Sequence, residues 1–165
     1  MPMLLAIKEL SQVSYSGMMA LYEEDLLKTA KADYPALPAA EARMEAEQDF
    51  YAFLAEVFFR TGGACLFVWE VEGRWVSCLR TEPYLDGHLI CGITTDPACR
   101  RMGYAQSLLQ AVTGQIPGVL YSHVEKSNAP SLALHKKSGF SQQLEYAEML
   151  NGGILHNFYT FSHGK

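Results

Sequence analysis

Apolar positions in the first part of the chain change spacing in a way that predicts one strand followed by two helices. The opening LLAIKEL predicts a short strand, and the stretch 14–31, rich in Met, Leu, Glu and Lys, predicts a helix. DYPALP interrupts this helix, because proline breaks helices and favours extended conformations in the residue before it. A second helix is expected to bury one apolar stripe and to end at Gly62 and Gly63. The stripe consists of Phe50, Phe53, Leu54, Val57 and Phe58.

A spacing of two begins after residue 63 and predicts strands. The segments ACLFVWEV and RWVSCLR flank Glu72 and Gly73, which predicts an antiparallel hairpin, and GHLICGITT predicts a third strand. The segment YAQSLLQAV predicts a helix, GVLYSHV a strand, and NAPSLALHKKSGF a short helix that ends before Gly139. The segments QQLEYAEML and ILHNFYTF around Asn151-Gly152-Gly153 predict a final hairpin. The order β-α-α-β-β-β-α-β-α-β-β predicts an α/β protein whose mixed sheet is covered by helices.

Composition limits the class of protein. The 165 residues, 49% of them hydrophobic, are expected to form one domain with a substantial core. A net charge of −5 argues against a nucleic-acid backbone as partner. No apolar run approaches the ~18 residues of a membrane helix, and the start MPMLLAIKEL lacks the features of a signal peptide, so a cytoplasmic location and no membrane partner are expected.

The cysteines and histidines do not follow the spacing of metal sites. Cys65, Cys78, Cys91 and Cys99 form no CxxC pair and are expected to be buried free thiols. The five histidines are dispersed, and none lies in an HExxH motif. The sequence therefore predicts no bound metal.

The segment CRRMGYAQSLLQAV places Arg100 and Arg101 just before Gly103, where a helix is expected to begin. The first N–H groups of a helix lack intrahelical partners, and the helix dipole adds partial positive charge there. Gly103 allows the backbone to approach a ligand, and Ala105 keeps the next turn slim. Arginine supplies charge-assisted hydrogen bonds to phosphate oxygens, so the loop is predicted to hold a pyrophosphate group.

A second polar cluster lies downstream, where Asn128, Ser131 and His135 share one face of a predicted helix. Together, ITTDPACRRMGYAQSLL and HVEKSNAPSLALHKKSGF resemble the GNAT superfamily of N-acetyltransferases, and the resemblance covers the whole chain in element order. It implies the GNAT fold over residues 1–165 as one domain, a mixed sheet of about six to seven strands flanked by about four helices. The segment RTEPYLDGHL also resembles a bacterial branch of the superfamily and implies no particular acceptor.

The resemblance implies acetyl-CoA as co-substrate and assigns residues to its binding. Ile93, Thr94 and Thr95 would pair through the backbone with the pantetheine arm. The residues implied around the pyrophosphate are Arg100, Arg101, Met102, Gly103, Tyr104 and Ala105, mainly through backbone N–H groups. Asn128 matches the family's asparagine that contacts the cofactor, with Ser131 one turn further along the same helix.

The catalytic positions depart from the family pattern. Where many members carry a tyrosine that protonates the leaving CoA thiolate, this chain has His135, which is either that general acid or a polar residue near the end of a short helix. Many relatives place a glutamate base on the fourth strand, and none lies between residues 87 and 95 here. Glu82, His88 and His123 are candidate bases, as is Asp86, with turn residues and a core histidine as the alternatives.

The implied activity is transfer of an acetyl group from acetyl-CoA to a primary amine, directly and in a ternary complex, with a small molecule as the acceptor. Acetylation of a protein N-terminus or lysine, and a non-catalytic acyl-CoA sensor, are the alternatives. The resemblance is also compatible with a homodimer. Acidic side chains near the first two helices either attract an amine or are a solvated helix face; they are Glu23, Glu24, Asp25 and Asp33, with Tyr34 beside them.

Overall fold

Antiparallel and parallel strands combine in one mixed sheet in this computed structural model, which describes residues 1–164. Within that range the sheet has seven strands in the order β1-β2-β3-β4-β5-β9-β6, and β7 and β8 form a separate two-stranded ribbon. The strands are β1 (Pro2–Ile7), β2 (Cys65–Val71), β3 (Arg74–Tyr84), β4 (Gly87–Thr95), β5 (Leu120–Glu125), β6 (Ser141–Leu144), β7 (Ala147–Glu148), β8 (Ile154–Leu155) and β9 (Phe158–His163). The α-helices are α1 (Tyr15–Leu21), α2 (Glu23–Asp33), α3 (Ala39–Phe53), α4 (Tyr104–Gln115) and α5 (Ala129–Lys137).

Helices cover both faces of the sheet, and each face has its own apolar cluster. On one face, α1 to α3 pack against β2 and β3, with Met18, Leu54 and Val68 at the centre. On the other face, α4 and α5 pack against the sheet with Leu108 and Phe161 buried. This arrangement confirms the predicted mixed α/β class with helices over the sheet. None of the helices within residues 1–164 has the length and apolar character to cross a lipid bilayer.

The helical part of the chain differs from the prediction in two places. The stretch 14–31 is two helices rather than one, because the chain bends at Tyr22, whose ψ of 15° lies outside the helical range. The predicted stripe of the second helix is wrong in part, since Phe53 and Val57 are exposed while Leu54 and Phe58 are buried. Residues 54–58 form a π-helical turn, with the N–H of Phe59 donating to the carbonyl of Leu54. The wider turn shifts the buried positions to a spacing of four.

The hairpins follow the sequence signals. Val71 pairs with Arg74 across Glu72 and Gly73, as predicted. The last segment forms a hairpin around Asn151-Gly152-Gly153, but its paired strands are short, and the chain then turns into β9. Strand β9 inserts between β5 and β6 in the main sheet. The strands before and after the β7–β8 hairpin, β6 and β9, therefore pair with each other.

Candidate active site

Strands β4 and β5 are parallel and separate after only three paired positions. His88, Leu89 and Ile90 pair with residues 120–122, and beyond Ile90 no pairing between the two strands continues within residues 1–164. On its other side β4 stays paired with β3 as far as Thr95, after a register shift opposite residues 78–80. The separated strands leave backbone hydrogen-bonding groups of β4 facing a gap, which is where an extended ligand can add to a sheet edge.

The residues proposed to meet the pantetheine arm line this open part of β4. Ile93, Thr94 and Thr95 are half-buried. The hydroxyl of Thr94 donates to the carbonyl of Leu21 at 3.0 Å, and that of Thr95 lies 2.9 Å from the hydroxyl of Ser77. Both side chains are therefore held by the protein, which leaves the backbone of β4 as the group available to a ligand.

The loop after β4 contains backbone N–H groups that have no protein partner within residues 1–164. Arg101 and Gly103 have φ of 63° and 79°, both in the left-handed region. Among the described residues, no protein acceptor binds the N–H groups of Arg101 to Gln106, while Ser107 donates to the carbonyl of Gly103 at 3.0 Å. The space beside Gly103 is open, since a Cβ there would meet nothing within 4 Å. Six consecutive donors at the positive end of α4 are an arrangement that can bind an anion.

The two arginines of the loop have different surroundings. The guanidinium of Arg100 forms two hydrogen bonds with the carboxylate of Glu24 on α2, at 3.0 and 2.8 Å. This ion pair ties the loop to α2, and the pKa of the Glu24 carboxyl is lowered by its hydrogen bond to Arg100. Arg101 is exposed and has no hydrogen-bond or ion-pair partner among residues 1–164, so its side chain is available to a phosphate.

Asn128 and Ser131 shape the start of α5. The side-chain oxygen of Asn128 accepts from the N–H of Ser131 at 3.2 Å, which caps the helix. Asn128 is exposed and Ser131 is half-buried. The two residues therefore stabilise the first turn of α5, and their contact with a cofactor stays a prediction.

His135 lies in the core rather than at the gap. Its ring is 1% exposed and packs on Phe140 and Phe161. Its Nδ1 is 2.7 Å from the carbonyl of Ser131, to which it donates, and its Nε2 is 2.8 Å from the hydroxyl of Ser122, from which it accepts. Burial lowers the pKa of His135, so the neutral ring is favoured. Both nitrogens are occupied by the protein, which favours a structural role for His135, and its predicted role as general acid stays a prediction.

Replacing His135 by alanine is expected to lower the free energy of unfolding by about 2–4 kcal/mol, because the hydroxyl of Ser122 loses its partner in the core. In the unfolded chain a histidine binds a proton near pH 6.5, whereas folded His135 does so only at lower pH. Wild-type stability should therefore fall as pH falls below about 6.5, and the variant should lose part of this slope. Urea unfolding at several pH values measures the free energy of unfolding and its dependence on pH. A variant with the same pH dependence as the wild type would contradict the structural role.

Glu82 and His123 meet at a cavity on the face of the sheet covered by α1 to α3. The cavity has a volume of about 250 Å³ and is lined by Tyr84 and Leu89 besides these two residues, with the tip of the β7–β8 hairpin above them. The ring of Tyr84 packs edge-on against His123, with centroids 5.3 Å apart. The structure thus brings together two of the three predicted catalytic residues and leaves His135 on the other face.

His123 has the properties of a proton acceptor. It is half-buried on β5 just past the point where β4 leaves, and its Nε2 is buried without a hydrogen-bond partner among the described residues. Burial lowers the pKa of His123, so the imidazole is neutral at pH 7. The other base candidates differ in their position or partners. Asp86 accepts a hydrogen bond from Tyr121, and His88, whose Nδ1 is also buried without a partner among the described residues, lies at the closed end of the strand pair.

The cysteines are free, as predicted. Cys65, Cys78 and Cys99 are buried, while Cys91 is half-buried with its sulfur 3.8 Å from Glu82. Burial raises the pKa of Cys91 to about 12, which leaves the thiol protonated and a poor nucleophile. Within residues 1–164 no group of three or more His, Cys, Asp or Glu is placed to hold a metal ion.

A second cavity, of about 340 Å³, lies beside the first helices and includes Arg80, a residue that was not predicted. It lies between α2, α3 and the sheet and is lined by Tyr22, Arg80 and Gly92 at its base. Cys78, Arg80 and Glu82 occupy every second position of β3 and therefore share one face of the sheet. Two charged residues that follow a buried one on the same face are a sequence signal for a site. The sequence interpretation treated this segment only as half of a hairpin.

Two of the four acidic side chains predicted to attract an amine, Glu23 and Glu24, accept hydrogen bonds from arginines within residues 1–164. Asp25 lines the second cavity together with Asp49, which accepts from Tyr34. The attraction of an amine by this group stays a prediction.

Comparison with known proteins gives a consistent result. A family model described as the acetyltransferase (GNAT) family matches residues 20–140. A search of the curated proteins finds no match.

Solved structures with the same fold include three N-acetyltransferases. The ribosomal-protein-S18-alanine N-acetyltransferase from Escherichia coli is 18% identical, with 98% of this chain and 92% of that chain covered and a TM-score of 0.61. A putative phosphinothricin N-acetyltransferase is 20% identical, with 98% of each chain covered and a TM-score of 0.65. The PaiA N-acetyltransferase from Thermoplasma acidophilum, in complex with coenzyme A, is 10% identical, with 99% of each chain covered and a TM-score of 0.60. At these identities the likeness concerns the fold.

Proposed function

The chain belongs to the GNAT acetyltransferase family, and from this premise we propose that it moves the acetyl group of acetyl-CoA to a primary amine of a small molecule. The transfer is direct, in a ternary complex of protein, acetyl-CoA and acceptor. The observation that carries the proposal is the combination of an unpaired edge of β4, six consecutive N–H donors after it, and a cavity lined by a histidine with a partnerless ring nitrogen.

The residues of the loop and of β4 fit the chemical groups of acetyl-CoA. The N–H groups of Arg101 to Gln106 would hold the pyrophosphate oxygens, and the open space at Gly103 lets that group approach the backbone. The backbone of Ile93 to Thr95 would pair with the pantetheine amides as an added strand. Acetyl-CoA supplies an activated acetyl group as a thioester.

His123 is the proposed general base. A primary amine is largely protonated at pH 7, and it attacks a carbonyl only after it has lost a proton. The partnerless Nε2 of His123 takes that proton, and the carboxylate of Glu82 in the same cavity stabilises the imidazolium that forms. The amine nitrogen bonds to the acetyl carbon and the carbon–sulfur bond breaks. The CoA thiolate takes up the second proton that the nitrogen loses, so the products are an amide and the CoA thiol.

The size of the cavities supports a small acceptor. About 250 Å³ next to His123 and about 340 Å³ next to Gly92 are volumes for molecules of a few to a dozen heavy atoms. A protein acceptor would place only one terminal residue or one lysine side chain there.

The direct test is release of free CoA thiol from acetyl-CoA in the presence of amines. We expect turnover with a subset of small primary amines and none with alcohols of the same shape. Acetyl-CoA that binds without any thiol release across small amines, peptides with a free N-terminus and lysine peptides would favour the non-catalytic sensor. Turnover restricted to peptides would replace the small acceptor by a protein.

A further inference from the structure

A cation without a carboxylate partner lies at the base of the second cavity. The guanidinium of Arg80 is half-buried and lies 5.4–5.8 Å from the centroids of four aromatic rings. The rings are those of Tyr22, Phe50, Phe53 and Phe58. Within residues 1–164 no carboxylate forms an ion pair with Arg80. By contrast, Arg43, Arg74 and Arg100 each form an ion pair with an acidic residue.

The hydrogen-bonding capacity of Arg80 is largely unused by the protein. A guanidinium carries five N–H donors in one plane. Within residues 1–164 one of them has an acceptor, since Nη1 donates to the hydroxyl of Tyr22 at 3.2 Å. The other donors, including both on Nη2, have no acceptor among these residues. A guanidinium with unused donors can bind a carboxylate through two parallel hydrogen bonds.

Arg80 is placed next to the proposed reaction position. A Cβ built on Gly92 would lie 3.0 Å from both terminal nitrogens of Arg80, so the cation lies directly against β4 where that strand has left β5. Tyr22, which accepts from Arg80, donates to the carbonyl of Gly92 at 2.6 Å. Along β3, Arg80 and Glu82 are two residues apart and on the same face, a separation of roughly 7 Å.

We propose that Arg80 binds the carboxylate of the acceptor, so that the amine acetylated by this protein belongs to an amino acid or a similar carboxylate-bearing molecule. The inference rests on the proposed function and names its substrate class. The carboxylate binds to the guanidinium, and the amine of the same molecule points toward the cavity of Glu82 and His123, where His123 takes its proton.

Two carboxylates at the rim of the second cavity narrow the expected class of acceptor molecules. Asp25 and Asp49 line it without contacting Arg80, and both are exposed. An acceptor that adds a second negative charge would meet these carboxylates, whereas a neutral or cationic side chain would not. We expect amino acids with acidic side chains to be the poorest acceptors of the class.

The test compares the common L-amino acids with their carboxamides in the thiol-release assay, for the wild type and for Arg80→Met. Methionine fills the aromatic site with an uncharged side chain of similar length. The wild type is expected to have a lower KM for each amino acid than for its carboxamide. Arg80→Met is expected to raise KM for the acid about tenfold to a hundredfold, with little change for the amide and in kcat.

Two controls separate a carboxylate contact from a structural role. Arg80→Lys keeps the charge and loses the two-pronged edge, and we expect an intermediate KM for the acid. Arg60→Met removes a charge from an exposed arginine outside both cavities. It should leave KM and kcat unchanged for both the acid and the amide. Thermal melting with acetyl-CoA verifies that each variant folds and binds the cofactor.

The outcomes distinguish this inference from the proposed function. Equal loss of kcat on acid and amide in Arg80→Met would make Arg80 a support for Tyr22 and β4 and would overturn the carboxylate contact. A wild type that binds acetyl-CoA and acetylates amines lacking a carboxylate as well as the amino acids would also overturn it and leave the proposed function intact. A wild type that does not bind acetyl-CoA would remove the proposed function, and the inference with it.

Discussion

Replacing His123 by alanine is expected to lower kcat of acetyl transfer by about a hundredfold or more, the largest effect that we predict for a single side chain. A positioned general base contributes about 10² to 10⁴ in rate. His123 lies at the cavity beside the open edge of β4 and has a buried Nε2 with no protein partner within residues 1–164. Steady-state thiol release with a substrate identified in the amine panel measures the loss.

The pH profile makes this prediction specific. The base must be unprotonated, so activity should fall as pH drops through the pKa of His123, which burial holds below the ordinary value of 6.5. In His123→Ala this acidic limb should disappear, and activity should rise with pH only as the amine itself loses its proton. Glu82→Gln should keep the limb and move it to lower pH, because an imidazolium without the nearby carboxylate is less stable.

The matched control is His163→Ala, which makes the same truncation at a half-buried histidine on β9 and outside both cavities. It should retain the wild-type kcat and profile. If His123→Ala keeps both kcat and the acidic limb, then His123 is a packing residue beside Tyr84 and the base lies elsewhere.

Replacing Ala105 by glutamate is expected to weaken acetyl-CoA binding by about a hundredfold or more, while leaving the fold stable. Ala105 is the second residue of α4, within the run of N–H donors proposed to hold the pyrophosphate. A carboxylate there faces the phosphates at a few ångströms, where repulsion amounts to about 3 kcal/mol. The same carboxylate is favourable to the helix, because acidic side chains in a first turn interact well with its dipole. Calorimetric titration and thermal melting give affinity and stability separately.

Ala40→Glu provides the matched control for this experiment. Ala40 is the second residue of α3 and is exposed, so the substitution adds the same charge at the same helical position away from the loop. We expect the wild-type affinity for acetyl-CoA in this variant. Equal weakening in both variants would indicate an effect of net charge, and no weakening in Ala105→Glu would place the cofactor outside the loop.

The order of the main helices and strands and the start of α4 could be predicted from the sequence, because they depend on local patterns. Alternating apolar residues and the Glu72-Gly73 turn predict the central hairpin, and glycine before a periodic apolar run predicts the start of α4. The bend at Tyr22 and the π-helical turn at 54–58 were not predictable in this way. They follow from packing between α1, α3 and the sheet, which local spacing does not encode.

The catalytic residues were only partly predictable, because their roles depend on surroundings that sequence spacing does not give. His123 and His135 are both histidines near β5, and the burial that lowers both pKa values does not distinguish them. The difference is in their partners, since His135 uses both nitrogens within the core and His123 leaves one facing a cavity. Arg80 was missed for the same reason, because its aromatic surroundings come from α1, α3 and the turn at 54–58.

The central claim is that the loop and the open edge of β4 hold acetyl-CoA, and calorimetric titration tests it most directly. We expect binding of acetyl-CoA with Kd of about 1–100 μM, most of it retained with desulfo-CoA and a weaker response to adenosine diphosphate, because the pyrophosphate contributes through the N–H groups of Arg101 to Gln106. No binding of acetyl-CoA at concentrations up to about 1 mM would contradict the claim. The N–H groups of the loop would then be solvated, and the likeness to N-acetyltransferases would be one of fold.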